Sequence, residues 1–359
     1  MEKRTVLVVD DSAFMRRYLK QMIESDPLLK VIDTAKNGEE AISKAKQLRP
    51  DVITLDINMP SMDGLTALTY IMLECPTPTI IISSLTQAGA LTTFEALELG
   101  AVDFVSKPSG TISLDIENLT GEIISKIKSA LHAKMRIKRT YRTDEKLWQK
   151  PVKSTQSTFQ KGPELVVAIG VSTGGPRTLT EILPDLPADL PATVVVVQHM
   201  PPPFTASFAQ RLNGECKMQV SESKQGDPII PGQIYIAKGG YQLTIVPSPL
   251  GRGSLLRLGN STSDQLFCPS VGVLFNSVAR LYGCRAVGVL LTGMGDDGAD
   301  GMVKIRNAGG ITIAESEESA IIFGMPAEAI KRGGAEIIAP ANQIAKEIQD
   351  AVYRIKTLW

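Results

Sequence analysis

The sequence predicts an α/β protein made of two doubly wound parallel-sheet domains, and three observations predict it. At 359 residues the chain is too long for one ordinary core. In both halves, short continuous apolar runs alternate with longer segments whose apolar residues recur at helical spacing. Between the halves, residues 134–161 hold nine Lys/Arg against two acids and show little apolar periodicity. That is the composition of a solvated tether. The boundaries read 1–131 for the first domain, 132–162 for a basic linker and 163–359 for the second domain.

In the first half "TVLVV", "VITL", "TIIIS" and "VDFV" read as strands. "MRRYLKQMI", "EEAISKAKQL", "GLTALTYIMLE", "TFEALEL" and "ENLTGEIISKIKSAL" read as helices, with Asn37 and Glu40 as N-cap and capping-box partner. Such alternation requires a parallel sheet covered on both faces. After the linker, "ELVVAIG", "ATVVVVQ", "RAVGVLLTG", "GITIAES" and "AEIIAP" are strands. Helices are expected at 203–212, 270–282, 299–308, 326–332 and 342–356. The alternating stretch "GQIYIAKGGYQLTIVP" predicts an inserted β-hairpin that turns at Gly239–Gly240.

The totals exclude several classes. Lys+Arg and Asp+Glu each number 38, so no net charge argues for nucleic acid. The opening "MEKRTVLVVDDS" is cut by aspartates and does not read as a signal peptide. No run reaches the roughly 18–20 apolar residues of a membrane span. Cys75, Cys216, Cys268 and Cys284 are scattered without a CxxC, which fits reduced thiols in a cytoplasmic protein. With only His132 and His199 in the chain and no local ligand cluster, a zinc hydrolase is not expected.

Asp10 and Asp11 follow one strand of the first half and Asp56 follows another. In a parallel sheet those strand ends share one edge, where ligands bind. Carboxylates gathered there repel unless a cation joins them, and Mg²⁺ suits such an oxygen site. Lys107, in "SKP", brings an ammonium to the same edge, and Ser83 a hydroxyl. A carboxylate in that setting can attack a phosphoryl donor and become an aspartyl phosphate. On "VDDS", "DINMPSMDG", "ISS" and "DFVSKP", residues 4–131 resemble response-regulator receiver domains, which are flavodoxin-like. The resemblance implies Asp56 as phosphoacceptor. It implies Mg²⁺ held by Asp11, Asp56 and the Asn58 carbonyl with Asp10 assisting, and Ser83 and Lys107 against the phosphoryl group. Phe104 stands where such domains have an aromatic that changes rotamer on phosphorylation.

In the second half, "LVVAIGVSTGGP" ends a strand in a glycine-rich turn. Residues 170–174 match G-x-S-x-G, in which glycines permit a tight strand-to-helix turn around an exposed serine. Pro176 suits the first turn of a helix. The spacing fits neither the phosphate loop nor the dinucleotide fingerprint. A nucleophilic Ser172 needs a base and an orienting acid. His199, directly after "VVVVQ", emerges at the same sheet edge. Asp296, Asp297 and Asp300 follow a third strand in "LLTGMGDDGADG". An EF-hand fails there, because the twelfth position from Asp296 is Asn307. Helix capping suits one of the three aspartates, and spacing does not choose among them. The chain order Ser–His–Asp departs from the Ser–Asp–His of α/β-hydrolases, although a triad is defined by geometry.

"IGVSTGGP", "VVVVQHMPPPF", "PSVGVLF" and "LLTGMGDDGADG" resemble the catalytic domain of chemotaxis protein-glutamate methylesterases, the CheB family, over residues 164–354. The resemblance implies a Rossmann-like fold with Ser172 as nucleophile, His199 as base and Asp297 as orienting acid. It assigns the oxyanion donors to the Met294 amide, with the elbow amide near Thr173 as a further one, and requires no cofactor for the ester reaction. It implies a phosphorylation-activated hydrolase that removes γ-glutamyl methyl esters from chemotaxis receptors and deamidates receptor glutamines. It implies phosphorylation by the chemotaxis histidine kinase CheA, work at membrane-bound receptor arrays, and an unphosphorylated receiver packed over the site. Gly272 and Cys268 depart from the family pattern, which has an aspartate and commonly a basic residue there. Neither position is expected to touch the triad. The alternatives are a phosphorylation-gated adaptor whose second domain only binds a partner, and a hydrolase of another ester or amide.

Overall fold

The computed structural model describes residues 3–83, 86–107, 116–135, 164–251, 253–261 and 266–358. The chain divides into two compact units, Met1–Thr143 and Asp144–Trp359. Most of the expected linker, residues 136–162, lies outside the described residues, as does Pro108 of "SKP".

The first unit alternates strand and helix throughout. Its elements are β1 (Arg4–Val9), α1 (Ala13–Glu24), β2 (Leu29–Ala35), α2 (Gly38–Leu48), β3 (Val52–Asp56), α3 (Gly64–Glu74), β4 (Thr79–Ser83), α4 (Gln87–Leu99), β5 (Asp103–Ser106) and α5 (Ile116–Ala130). The sheet order is β2-β1-β3-β4-β5, with every pairing parallel. This is the flavodoxin order, with a topological switch between β1 and β3. β3 and β4 are buried along their whole length, which is why they read as unbroken apolar runs. Strand β2 was not foreseen. As an edge strand it mixes Lys30 and Asp33 with apolar residues, and that erases the strand signal. Asn37 caps α2 by accepting from the Glu40 amide at 2.9 Å. The Glu40 carboxylate accepts from Lys36 N–H at 3.3 Å, one residue before the cap.

The second unit contains β6 (Val166–Val171), α6 (Gly175–Ile182), β7 (Thr193–Gln198), α7 (Pro202–Glu215), β8 (Gln219–Glu222), β9 (Gln233–Ile236), β10 (Gln242–Pro247), β11 (Ser254–Gly259) and α8 (Val271–Tyr282). It continues with β12 (Ala286–Leu290), α9 (Ala299–Asn307), β13 (Ile311–Glu315), α10 (Met325–Lys331), β14 (Ile337–Ala339) and α11 (Ala341–Lys356). The main sheet runs β14-β13-β12-β6-β7-β9-β8, again entirely parallel. From β6 the chain leaves to β7 on one side and returns as β12 on the other. The switch point, where doubly wound sheets bind ligands, therefore lies between β6 and β12.

The hairpin expected at Gly239–Gly240 is not formed. β9 pairs in parallel with β7 and β8, and the chain then crosses to a separate two-stranded sheet. The antiparallel partners are β10 and β11, from Gln242 opposite Gly259 to Pro247 opposite Ser254. At the crossing Gly240 has φ +78, and its N–H donates to the Cys268 carbonyl at 3.2 Å. The alternation marked two strands correctly, but the glycine pair redirects the chain between sheets instead of reversing it. Leu243, Ile245 and Leu256 of the small sheet share a core with Phe275 and Val278 of α8. The Ser277 hydroxyl accepts from the Ile245 amide at 3.1 Å. Among the described residues no helix is long and apolar enough to cross a membrane.

Candidate functional site

Three adjacent strand ends of the second unit bring Ser172, His199 and Asp297 together. Ser172 follows β6, and its N–H donates to the Thr292 carbonyl at 3.0 Å. His199 follows β7, and its N–H donates to the Val171 carbonyl at 3.1 Å. The buried Gln198 amide joins the two turns by donating to the carbonyls of Ser172 and His199, at 3.0 Å each. Gly293, after β12, passes so close to the serine that a methyl group on it would lie 2.8 Å from Ser172 Cβ. Only a glycine lets the third strand end approach this near.

His199 Nδ1 lies 3.1 Å from Ser172 Oγ, and His199 Nε2 lies 2.8 Å from Asp297 Oδ2. The ring is turned relative to the familiar serine protease triad, in which Nε2 faces the serine. The ionised Asp297 accepts from Nε2–H, which leaves the Nδ1 lone pair facing the serine hydroxyl. Burial pushes the Asp297 carboxyl up. The hydrogen bond from His199 and the Gly272 and Val271 amides outweigh it and hold the group below the ordinary carboxylate range.

The Asp297 carboxylate is itself held by the start of α8. Asp297 Oδ1 accepts from Ser270 Oγ at 2.9 Å and from Gly272 N–H at 2.9 Å, and Oδ2 accepts from Val271 N–H at 2.7 Å. This corrects the expectation that position 272 stays clear of the triad. The free amides of a helix N-terminus are a ready carboxylate site, and Gly272 supplies one of them. The three aspartates left open by spacing are now separated. Asp296 and Asp300 pair on the surface with Arg332, at 2.5 and 2.8 Å, and only Asp297 turns inward. Sequence reading missed Ser270, which it took as the first residue of the helix expected at 270–282 and which instead caps α8, and Thr292. Thr292 Oγ1 donates to the Thr173 carbonyl at 2.9 Å, and its N–H donates to buried Glu315 at 2.8 Å. These bonds fix the backbone on both sides of the site, at Thr173 and at the approach to Met294.

The first unit has a second cluster at its switch point. Carboxylate oxygens of Asp10, Asp11 and Asp56 all lie within 4.8 Å of one another, a group able to hold a metal ion. Lys107 Nζ stands 2.9 Å from Asp10 Oδ2 and 2.8 Å from Asp56 Oδ2. Asn58 N–H donates to Asp56 Oδ1 at 3.4 Å. Burial pushes the Asp56 carboxyl up, and Lys107 only partly offsets it. Burial alone would lower Lys107, but Asp56 and Asp10 raise it above its ordinary value. Ser83 ends β4 beside this cluster; Thr93 Oγ1 donates to its hydroxyl at 2.6 Å, and it donates to the Gly89 carbonyl at 3.2 Å. Phe104 is buried, edge-on to Phe94 at 6.5 Å, with Lys126 Nζ 5.0 Å from its ring centre.

Comparison with known proteins identifies a family for each unit. The CheB methylesterase family model matches residues 167–348, and the response regulator receiver domain model matches residues 6–116. A protein of Caldanaerobacter subterraneus subsp. tengcongensis named protein-glutamate methylesterase/protein-glutamine glutaminase is 54% identical over 349 residues, 96% of this chain and 95% of that one. A protein of Syntrophomonas wolfei subsp. wolfei with the same name, numbered 3, is 50% identical across 97% of this chain and 99% of its own. The crystal structure of the Thermotoga maritima CheB methylesterase catalytic domain matches with TM-score 0.51 and 39% identity, covering 52% of this chain and 98% of that one. With both matches in one chain, and relatives similar along nearly its whole length, the protein belongs to the CheB methylesterase family and carries a response-regulator receiver domain ahead of its hydrolase domain.

Proposed function

We propose that the second unit hydrolyses γ-glutamyl methyl esters on chemotaxis receptors and deamidates receptor glutamines, and that phosphorylation of Asp56 raises this activity. The observation that carries the reading is the continuous hydrogen-bonded chain Ser172–His199–Asp297. The names of the full-length relatives supply the substrate class.

Asp297 holds the imidazole with its proton on Nε2. Nδ1 takes the hydroxyl proton as Ser172 Oγ attacks the ester carbonyl. The carbonyl oxygen becomes anionic, and the Met294 and Thr173 amides receive it. His199 returns its proton to the departing methoxide and methanol leaves. Water then attacks the acyl-enzyme, gives its proton to His199, and frees a glutamate carboxylate and Ser172. With glutamine the leaving group is ammonia.

In the receiver, Asp56 accepts the phosphoryl group from the chemotaxis histidine kinase, Lys107 and Ser83 contact its oxygens, and Phe104 is the aromatic that responds. The site fits Mg²⁺. Two of its three carboxylates are buried, one ammonium faces them, and Asp56 is pushed toward its neutral form by burial. Asp11, Asp56 and the Asn58 carbonyl, with Asp10, would hold the ion, which screens the charge on phosphoryl oxygens.

A folded carboxyl pKa above the unfolded value costs stability once pH rises past that unfolded value, about 3.9. A divalent cation removes the cost at neutral pH. In calorimetry of the full chain at about ten times its Kd, Mg²⁺ should raise the receiver transition by about 5 °C. The rise should shrink toward acid pH and be lost in Asp11→Asn. An equal rise in that variant excludes this binding site.

The functional reading is tested with receptor membranes carrying labelled methyl groups. Methanol release should increase with a small phosphodonor and Mg²⁺. Asp56→Asn should keep the basal rate and lose the increase. No methanol from the unaltered protein overturns the substrate assignment, whereas an increase that survives in Asp56→Asn overturns only the regulation.

A further inference from the structure

We infer that Phe267 is a positioning residue of the hydrolase site, the wall against which the His199 imidazole is held in line between Ser172 and Asp297. The inference rests on the hydrolase reading above. The two rings are stacked with centroids 4.2 Å apart and planes 8° apart, slightly closer than the usual separations of aromatic pairs. Both imidazole nitrogens are committed within the ring plane, one to Ser172 and one to Asp297. The motion left to the ring is rotation out of that plane, and such rotation drives its edge into the Phe267 face.

Phe267 is held in its turn. Its carbonyl accepts from Gln242 Nε2 at 2.7 Å, and Gln242 Oε1 accepts from Ser270 N–H at 2.8 Å. Gln242 is buried at the first position of β10. The same short segment then presents Ser270 Oγ and the Val271 and Gly272 amides to Asp297. Residues 267–272 therefore grip two members of the triad at once, the base through its face and the acid through its lone pairs. When Ser172 gives up its proton, the resulting imidazolium lies against an aromatic face, which attracts positive charge. The covered face also keeps water off one side of the ring while Nδ1 carries the proton meant for the leaving group.

Phe267 is 39% exposed, so the rival role is a receptor contact with no effect on the triad. Two measurements on full-chain variants separate the roles: steady-state methanol release from methylated receptor membranes, and the rate at which a small fluorophosphonate labels Ser172 without receptor. Phe267→Leu should slow labelling and lower kcat by about tenfold, with KM changed by less than about twofold. Phe267→Tyr should restore both rates to within about twofold of the unaltered protein. Unchanged labelling with a raised KM would overturn the inference in favour of a receptor contact, and unchanged values throughout would overturn it outright. If Phe267→Leu fails to fold, Phe267→Met is read against the same outcomes. Failure of the unaltered protein to label would sink the hydrolase reading instead.

Discussion

Replacing Ser172 with alanine is expected to lower methanol release from methylated receptor by about a million-fold, the scale of losing the nucleophile in a serine hydrolase. The effect is large because the substitution deletes the atom that forms the acyl bond. His199 and Asp297 then have nothing to activate, and His199→Ala added on top should cost little more. Folding should be spared. Among the described residues the oxygen removed bonds only to the His199 ring, and the turn is held by backbone, from Ser172 N–H to Thr292 and from Gly175 N–H to the Ser172 carbonyl. Phosphorylation of Asp56 should continue unchanged, which serves as the internal control. Methanol release within about tenfold of the unaltered rate would remove Ser172 from the nucleophile role and revive the adaptor alternative.

Replacing Asp297 with asparagine should cost about ten-thousand-fold in kcat, although the side chains match in shape. The carboxylate receives four donors: His199 Nε2, Ser270 Oγ and the Val271 and Gly272 amides. An amide keeps only one oxygen, so its NH₂ must face donors. If the NH₂ faces the imidazole, Nε2 must become the acceptor, the proton moves to Nδ1, and the ring can no longer accept from Ser172. The same substitution should lower stability with a defined pH dependence. The folded carboxyl lies below its unfolded value, so its stabilisation is present above about pH 3.9 and is lost as pH falls through the folded value. The gap in urea midpoint between Asp297→Asn and the unaltered protein should be wide near neutrality and narrow in acid. A gap independent of pH would mean that the carboxylate charge does not support the fold.

The parts legible in the sequence were those with one cause. Ser172 and His199 stood out because buried parallel strands read as apolar runs and the residue at their carboxyl end is displayed at the sheet edge. The receiver cluster was legible for the same reason. Asp297 was not separable from Asp296 and Asp300 by spacing, because what selects it is the start of α8, some 25 residues earlier in the chain. Phe267 left no signal at all. It belongs to no periodic segment, and its role depends on a ring that lies 68 residues away in sequence. Strands β2 and β8 escaped notice as edge strands with mixed polarity. The glycine pair at 239–240 misled because a turn signal does not reveal which strands it connects.

The small β10–β11 sheet looks like an ornament on the parallel sheet, but Gln242 makes it a strut of the segment that carries Phe267 and Ser270. Anyone grafting a loop onto this scaffold to redirect it toward a new receptor can exploit that division. The tip around Leu250, where that side chain is 89% exposed, is free to accept foreign sequence. The base of the ribbon is not. A one-residue slip along β10 would take the amide away from Phe267 and Ser270 and loosen the support of a histidine that the graft never touched.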